Sequence, residues 1–299
     1  MQTTNKCLII TYGFFGDIMF ASSLAKKLKS QYDQIDYVIG FPQMKRLLQN
    51  NPYIDDVYVS STPGPDSIPN PYVDISQYTK IIELGSLHYE ITPCEEYQQQ
   101  AGITDTSSEF EIYTEPTYDS YAKAFIDQLR IEHGKPVLAV MSNWEPKTYL
   151  FTPEQYEAGI DVPNLGYGGA HRNISYIISE LEDYATLIPV GVGDLNQQQT
   201  LSIPDNDTKS LLFEASVLKY CDAFIGTEGG LANLAAGVGC KTIITGDFVH
   251  QLYGWNGVLK KLNDPQLGPL KYFKNFGHVT IDPYYNDDNV VQTIIESIK

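Results

Sequence analysis

Basic residues are scarce in this sequence. Among its 299 residues, 20 are Lys or Arg and 37 are Asp or Glu, which gives a formal net charge of −17. Nucleic acids and anionic membranes are bound by clustered Lys and Arg, so we expect neither as a partner. A small anionic ligand is compatible with this composition, because a few well-placed donors are enough to hold a phosphate.

Long apolar runs and paired cysteines are also missing. No stretch approaches the ~20 apolar residues of a transmembrane helix, and the early "CLII" is too short for the apolar part of a signal peptide. The four cysteines, Cys7, Cys94, Cys221 and Cys240, are scattered without CxxC or Cys/His ligand spacing. We therefore predict a soluble, cytoplasmic protein with buried thiols and no metal site.

Several common catalytic motifs are absent. The sequence contains no GxSxG nucleophile elbow and no GxxxxGK[ST] phosphate loop. The first glycine-containing loop lacks the GxGxxG pattern of dinucleotide-binding domains. These absences argue against a serine hydrolase, a P-loop enzyme and a nicotinamide-dependent oxidoreductase.

Short apolar strands alternate with helical segments along the chain. One series runs from "KCLIITY" to the helix "SYAKAFIDQLRIEHG", and a second begins with "KPVLAVMS" and closes with the helical "DDNVVQTIIESIK". Such alternation is typical of parallel sheets covered on both faces. We predict two Rossmann-like, doubly wound α/β domains, residues 1–134 and 135–299, facing a central cleft. For the last helix, this prediction includes packing back on the N-terminal domain as an option.

The stretch "FIGTEGGLANLAAGVG" places Glu228, Gly229 and Gly230 where a strand passes into a helix. In doubly wound sheets, ligands bind at the carboxyl ends of strands, where helix N-termini favour anions. The glycines would let a phosphate approach backbone N–H groups, and Glu228 would accept hydrogen bonds from sugar hydroxyls. The alternative is a tight turn in which Glu228 is a solvated residue near the helix cap.

Two further loops carry candidate residues. In "YGFFGDIM", Gly13 and Gly16 lie in the first strand-to-helix loop, and Asp17 begins the helix. Asp17 is either a base that faces the cleft or an ordinary helix-starting residue. In "SNWEPKTYLF", Lys147 follows the first strand of the second series, as a phosphate contact or as a solvated lysine. Arg172, at the start of a helix, is a further candidate anion contact.

Together these stretches resemble glycosyltransferase family 9, the ADP-heptose:lipopolysaccharide heptosyltransferase-like enzymes of the GT-B fold. Gly16-Asp17 in "GFFGDIMFASSLAKKLK" is similar to the family's Gly-Asp pair, and "VLAVMSNWEPKTYLFTPEQY" to the segment with its phosphate-binding lysine. The stretch "EGGLANLAAGVG" resembles the family's Asp-Ser/Thr-Gly-x-x-His-Leu-Ala-Ala-x-x-Gly element. At these positions this chain has Glu228 where the family has Asp, Gly229 where it has Ser or Thr, and Asn233 where it has His.

The resemblance implies a divergent member with the GT-B fold and an inverting transfer of sugar from a nucleotide-diphosphate sugar to a glycan or glycolipid acceptor. Asp17 would be the general base, while Lys147, Gly229, Gly230 and Asn233 would bind the donor and Glu228 its ribose. No cofactor and no metal are implied. The replaced hydroxyl and histidine leave a catalytically silent GT-B-fold binding protein as an alternative, and a nucleotide-sugar epimerase as another.

Overall fold

The structure is a computed structural model that describes residues 4–13, 15–60, 73–87, 91–141, 174–191, 211–226, 229–244, 279–280 and 287–299. Within these residues the strands form two separate sheets, and every strand pair is parallel. Parallel strands need crossover connections, and helices supply them here.

The first half of the chain forms a four-stranded sheet in the order β3-β2-β1-β4. Its strands are β1 (Lys6–Thr11), β2 (Gln34–Ile39), β3 (Asp56–Val59) and β4 (Lys80–Glu83). The helices of this half are α1 (Phe15–Ala21), α2 (Ser23–Leu28), α3 (Lys45–Gln49), α4 (Pro93–Gln100) and α5 (Pro116–His133), with short 3-10 turns at Pro42–Met44 and Ile75–Gln77. β1 and β2 are almost wholly buried, which explains their continuous apolar sequences.

The second half forms a five-stranded sheet in the order β6-β5-β7-β8-β9. Its strands are β5 (Val137–Met141), β6 (Thr186–Val190), β7 (Ala223–Gly226), β8 (Thr242–Ile244) and β9 (Val279–Thr280). The described helices of this half are α6 (Ile174–Leu181), α7 (Leu211–Tyr220), α8 (Gly230–Gly237) and α9 (Asp287–Ile298).

The largest hydrophobic core extends through both halves. It joins Ile9 and Ile35 of the first sheet to Ala139 and Phe224 of the second, through the helices between the sheets. A separate cluster covers the other face of the second sheet with α6 and α9. The two halves therefore share buried apolar surface.

All four cysteines are buried free thiols, as the sequence predicted. Burial raises the pKa of the Cys7 thiol to about 11 and that of Cys240 to about 12. A thiol with so high a pKa has almost no thiolate at neutral pH, which fits a packing role.

Helix α5 closes the first series but packs against α7 of the second. Two ion pairs fasten it there: Asp119 Oδ2 lies 2.6 Å from Lys219 Nζ, and Arg130 Nη2 lies 3.0 Å from Asp222 Oδ1. Asp222 Oδ2 also accepts a hydrogen bond from the backbone N–H of Val137 at 2.7 Å. The domain boundary at residue 134 stays a prediction.

Some elements differ from their predicted form. The helix predicted in "DIMFASSLAKKLKSQ" is interrupted at Ser22, whose hydroxyl donates to the carbonyl of Met19 at 2.6 Å and competes with regular helical bonding. The two-residue strand β9 was missed because it is too short to show a pattern. Among the described residues, Val290 and Ile294 of the last helix pack against α6 of the second half. Its return to the N-terminal domain stays a prediction.

Candidate functional site

Both predicted glycine stretches lie at positions where the strand order reverses. In the first sheet β1 lies between β2 and β4, and the loop after β1 leads to Gly13 and Asp17. In the second sheet the chain passes from β5 to β6 on one side and from β7 to β8 on the other, so the order reverses between β5 and β7. The chain after β7 leads to Gly229 and Gly230. Open α/β sheets bind ligands at such switch points, outside the carboxyl ends of the strands.

The two stretches are in direct contact, because α1 packs against α8. A methyl group added at Gly16 would lie 2.7 Å from Nδ2 of Asn233, so the backbone of α1 lies directly against that side chain. One added at Gly230 would lie 3.5 Å from Cβ of Phe15, an ordinary van der Waals distance. The structure thus places Gly16 against Asn233 and Phe15 against Gly230.

Asp17 lies in the first turn of α1, where the helix dipole favours a carboxylate. Its side chain is partly exposed and lies close against Gly13, since a methyl group at Gly13 would lie 2.7 Å from Asp17 Oδ2. Gly13 therefore leaves the space that the Asp17 carboxylate occupies. Both the base hypothesis and the helix-start interpretation are compatible with this position.

Helix α8 begins after a glycine, which has no side chain that could cap it. Gly229 is the residue before the helix, and within the part of the chain that the structure describes it contributes no side-chain hydrogen bond to the helix start. The first N–H groups of a helix have no partner within it, so they attract an anion. Gly229 has φ 148° and ψ −168°, a backbone that residues with a side chain rarely adopt. This conformation accounts for glycine at the position where the family pattern has Ser or Thr.

Asn233 lies at the contact between the two helices. Its backbone N–H donates to the carbonyl of Gly229 at 3.0 Å, and its side chain is only 2% exposed. The Nδ2 atom faces Gly16, while Oδ1 is buried without a hydrogen-bond partner among the described residues. A donor-binding role for Asn233 stays a prediction, and its place at this contact was not foreseen.

Phe15 is a residue near the site that the sequence did not single out. It packs on Gly230 across the contact and makes an edge-to-face pair with Phe41, with ring centroids 5.2 Å apart. An aromatic residue beside a helix start usually marks a core position, so nothing in the local pattern distinguishes it.

Three predicted site residues, Lys147, Arg172 and Glu228, lie outside the described residues. Their predicted roles stay predictions. Within the described ranges, no group of three or more His, Cys, Asp or Glu side chains is placed to hold a metal ion. No helix in that part of the chain is long and apolar enough to cross a bilayer, and the cytoplasmic location stays a prediction.

No sequence-family model and no curated protein sequence matches the chain. Among solved structures, a glycosyl transferase family 9 protein from Veillonella parvula DSM 2008 is 14% identical, with a TM-score of 0.53 over 98% of this chain and 97% of that one. E. coli ADP-heptose lps heptosyltransferase II is 13% identical, with a TM-score of 0.46 over 91% and 98%. The iron-containing dodecameric glycosyltransferase TibC from enterotoxigenic E. coli H10407 is 13% identical, with a TM-score of 0.46 over 82% and 58%.

The likeness to the Veillonella protein extends over almost the whole length of both chains. At 14% identity it concerns the fold alone. The predicted fold class, α/β of the GT-B type with two parallel sheets, is confirmed.

Proposed function

We propose that the protein is a glycosyltransferase that moves a sugar from a nucleotide-diphosphate sugar to a glycan or glycolipid acceptor. The observation that carries this proposal is the contact between the helix start bearing Asp17 and the start of α8 at Gly229 and Gly230. Each lies at the switch point of its own sheet. The family 9 glycosyltransferase fold supports the same activity.

The second half would bind the donor. The first N–H groups of α8, with Gly229 offering no obstructing side chain, would hold the diphosphate. Lys147 and Arg172 are the cations assigned to the same anion, and Glu228 would accept hydrogen bonds from the ribose. Each donor aimed at the charge that develops on the leaving diphosphate contributes about 3 kcal/mol to lowering the barrier.

Asp17 would act on the acceptor as general base. The acceptor oxygen attacks the anomeric carbon as the bond from that carbon to the diphosphate oxygen breaks, so a single displacement inverts the configuration. The proton of the acceptor hydroxyl passes to the Asp17 carboxylate, and the diphosphate leaves with its electron pair. We propose no metal cofactor, because Lys147 and the helix N–H groups would balance the leaving charge.

One observation favours a second candidate, a GT-B-fold protein that binds a nucleotide or glycan without catalysis. The side chain of Asn233 is buried against Gly16, and Gly229 has no hydroxyl. Two side-chain donors of the family pattern are therefore replaced by groups that would not reach a diphosphate.

A thermal-shift titration with ADP, GDP, UDP, CDP and dTDP separates these candidates from a protein without a nucleotide site. A ligand that binds only the folded state adds about 2.7 kcal/mol of stability at a concentration of 100 Kd. We expect one nucleotide to raise the melting temperature, and Glu228→Ala to reduce that rise. The matching nucleotide sugars are then offered with glycan acceptors. Nucleotide release that depends on an acceptor supports transfer, whereas release with water in place of the acceptor supports an epimerase that hydrolyses its nucleotide sugar.

Binding without any turnover would favour the silent binding protein. If no nucleotide raised the melting temperature of the wild-type protein, the donor site at α8 would be wrong.

A further inference from the structure

A cavity of about 320 Å³ opens beside α2 in the first half. Its lining includes Lys26, Asn51, Tyr53, Glu109, Glu111 and Tyr113. Its volume lies near the lower end of the ~300–1,000 Å³ range of small-molecule sites.

The cavity is separate from the proposed transfer site. Lys26 lies nine residues beyond Asp17 along α1 and α2, which at ~1.5 Å per residue corresponds to about 13 Å. On the other side, the wall made by residues 107–113 meets α8 at Gly237, its last residue. The proposed donor site lies at the opposite end of that helix.

This wall also links the two halves of the chain. The backbone N–H of Ile112 donates to the carbonyl of Gly237 at 2.8 Å. Phe110 packs edge-to-face on Phe20 of α1, with ring centroids 5.3 Å apart, and also contacts Gly237. A ligand in the cavity would therefore touch α2 of the first half and a segment fastened to α8 of the second.

The polar groups of the cavity form two separate sets of hydrogen bonds. Lys26 Nζ donates to Glu111 Oε1 at 2.9 Å, and the Tyr113 hydroxyl donates to the same carboxylate. Asn51 Oδ1 accepts from the backbone N–H of Tyr53 at 3.0 Å. Within the described part of the chain, Asn51 Nδ2 and the Glu109 carboxylate make no hydrogen bond, which leaves one donor and one acceptor for a ligand.

The charges of the cavity balance, although the chain as a whole carries a net charge of −17. Both lysines of the lining are already paired, Lys26 with Glu111 and Lys27 with Asp105. An anionic ligand would have to displace a carboxylate from one of these lysines, whereas an uncharged polar ligand would not.

Aromatic rings complete the lining. Tyr53 and Tyr113 form an edge-to-face pair with ring centroids 6.3 Å apart and an angle of 72° between the rings. Such rings offer apolar faces beside polar hydroxyls. An uncharged molecule with apolar C–H faces and several hydroxyl groups matches both features, and a sugar is such a molecule.

We propose that this cavity binds one uncharged sugar unit, held between α2 and the 107–113 segment. Asn51 Nδ2 donates to a sugar hydroxyl, the Glu109 carboxylate accepts from another, and the tyrosine rings contact the C–H face. The proposal does not depend on the function proposed above, because none of these residues belongs to the transfer site.

Saturation-transfer NMR with the full-length protein tests this proposal. The probes are the methyl glycosides of glucose, galactose, mannose and N-acetylglucosamine, each measured with and without excess ADP. We expect saturation transfer to at least one glycoside, undiminished by ADP. Glu109→Gln should weaken its binding about tenfold, because it replaces a charged acceptor by a neutral one. Tyr53→Leu should remove the ring contact.

The matched control is Glu180→Gln, an exposed carboxylate of α6 outside the cavity, which should leave binding unchanged. Glu109 is exposed, so Glu109→Gln tests the site even if Tyr53→Leu does not fold. The proposal is overturned if no glycoside receives saturation, if ADP displaces the glycoside, or if Glu109→Gln binds as the wild type does.

Discussion

The Nδ2 atom of Asn233 occupies the space directly beside Gly16, 2.7 Å from where a β-carbon at that position would lie. Asn233 is 2% exposed, so its side chain has little room to move away. The contact joins the helix that carries Asp17 to the helix proposed to hold the diphosphate. Its geometry makes the separation between the proposed base and the proposed donor site sensitive to one methyl group.

Gly16→Ala should therefore destabilise the protein by about 1–3 kcal/mol, the usual cost of overpacking a buried contact. In an Asn233→Ala background, the same change should become neutral or stabilising. The clash is then gone, and alanine is favoured over glycine in a helix by about 1 kcal/mol. Urea unfolding of the wild type, both single variants and the double variant measures this coupling. Equal effects of Gly16→Ala in both backgrounds would contradict the contact.

Gly229→Ala should destabilise the protein by about 1–3 kcal/mol, because the φ of 148° at this residue is strained for any side chain. Gly230→Ala is the matched control. Its added methyl group would meet Phe15 at 3.5 Å without a clash, so its effect should be neutral or stabilising. Thermal unfolding of the two variants compares them, and an equal loss in both would mean that backbone conformation is not the cause.

Asp17→Asn should lower the rate of sugar transfer by about 10²–10⁴-fold, the usual contribution of a general base. Nucleotide binding should stay unchanged, because Asp17 lies in the first half and the donor is assigned to α8. Transfer assays with the cognate nucleotide sugar and thermal shifts with the nucleotide measure the two effects separately. Full activity of the variant would remove Asp17 from the proposed mechanism.

Asp36 should make stability depend on pH in the direction opposite to most carboxylates. It is fully buried in β2, and its Oδ2 accepts from the Tyr78 hydroxyl at 2.6 Å and from Gln34 Nε2 at 2.7 Å. Burial raises the pKa of the Asp36 carboxyl above its ordinary value of 3.8, although the hydrogen bonds from Tyr78 and Gln34 oppose the rise.

A raised pKa in the folded state means that folding favours the protonated form. The resulting stabilisation is fully present below the pKa that the Asp36 carboxyl has in the unfolded state. It is lost as pH rises through the pKa of the same group in the folded state. The free energy of unfolding of the wild type, minus that of Asp36→Asn, should fall as pH increases above 3.8. Asp74→Asn is the control with the opposite sign, since hydrogen bonds from Ser76 and Gln77 lower the pKa of Asp74. A difference that does not change with pH would contradict the prediction for Asp36.

The alternation of strands and helices could be predicted from the sequence, because each described core strand is a short apolar run between polar turns. "KCLIITY" became β1, and "DAFIG" became β7. The end of α5 before Gly134 was also predicted correctly, since a C-terminal glycine is a local signal. Such features depend on residues that are close together in the chain.

The composition of the chain and its local patterns determined the fold class, the positions of the main strands and the placement of two glycine stretches at strand-to-helix junctions. Strand order, the packing of α9 on the second half, the burial of Asn233 and its contact with Gly16 arise only in the folded molecule. Residues far apart in the chain meet there. A local periodicity indicates which face of an element is buried, but the partner of that face depends on how all the elements pack together.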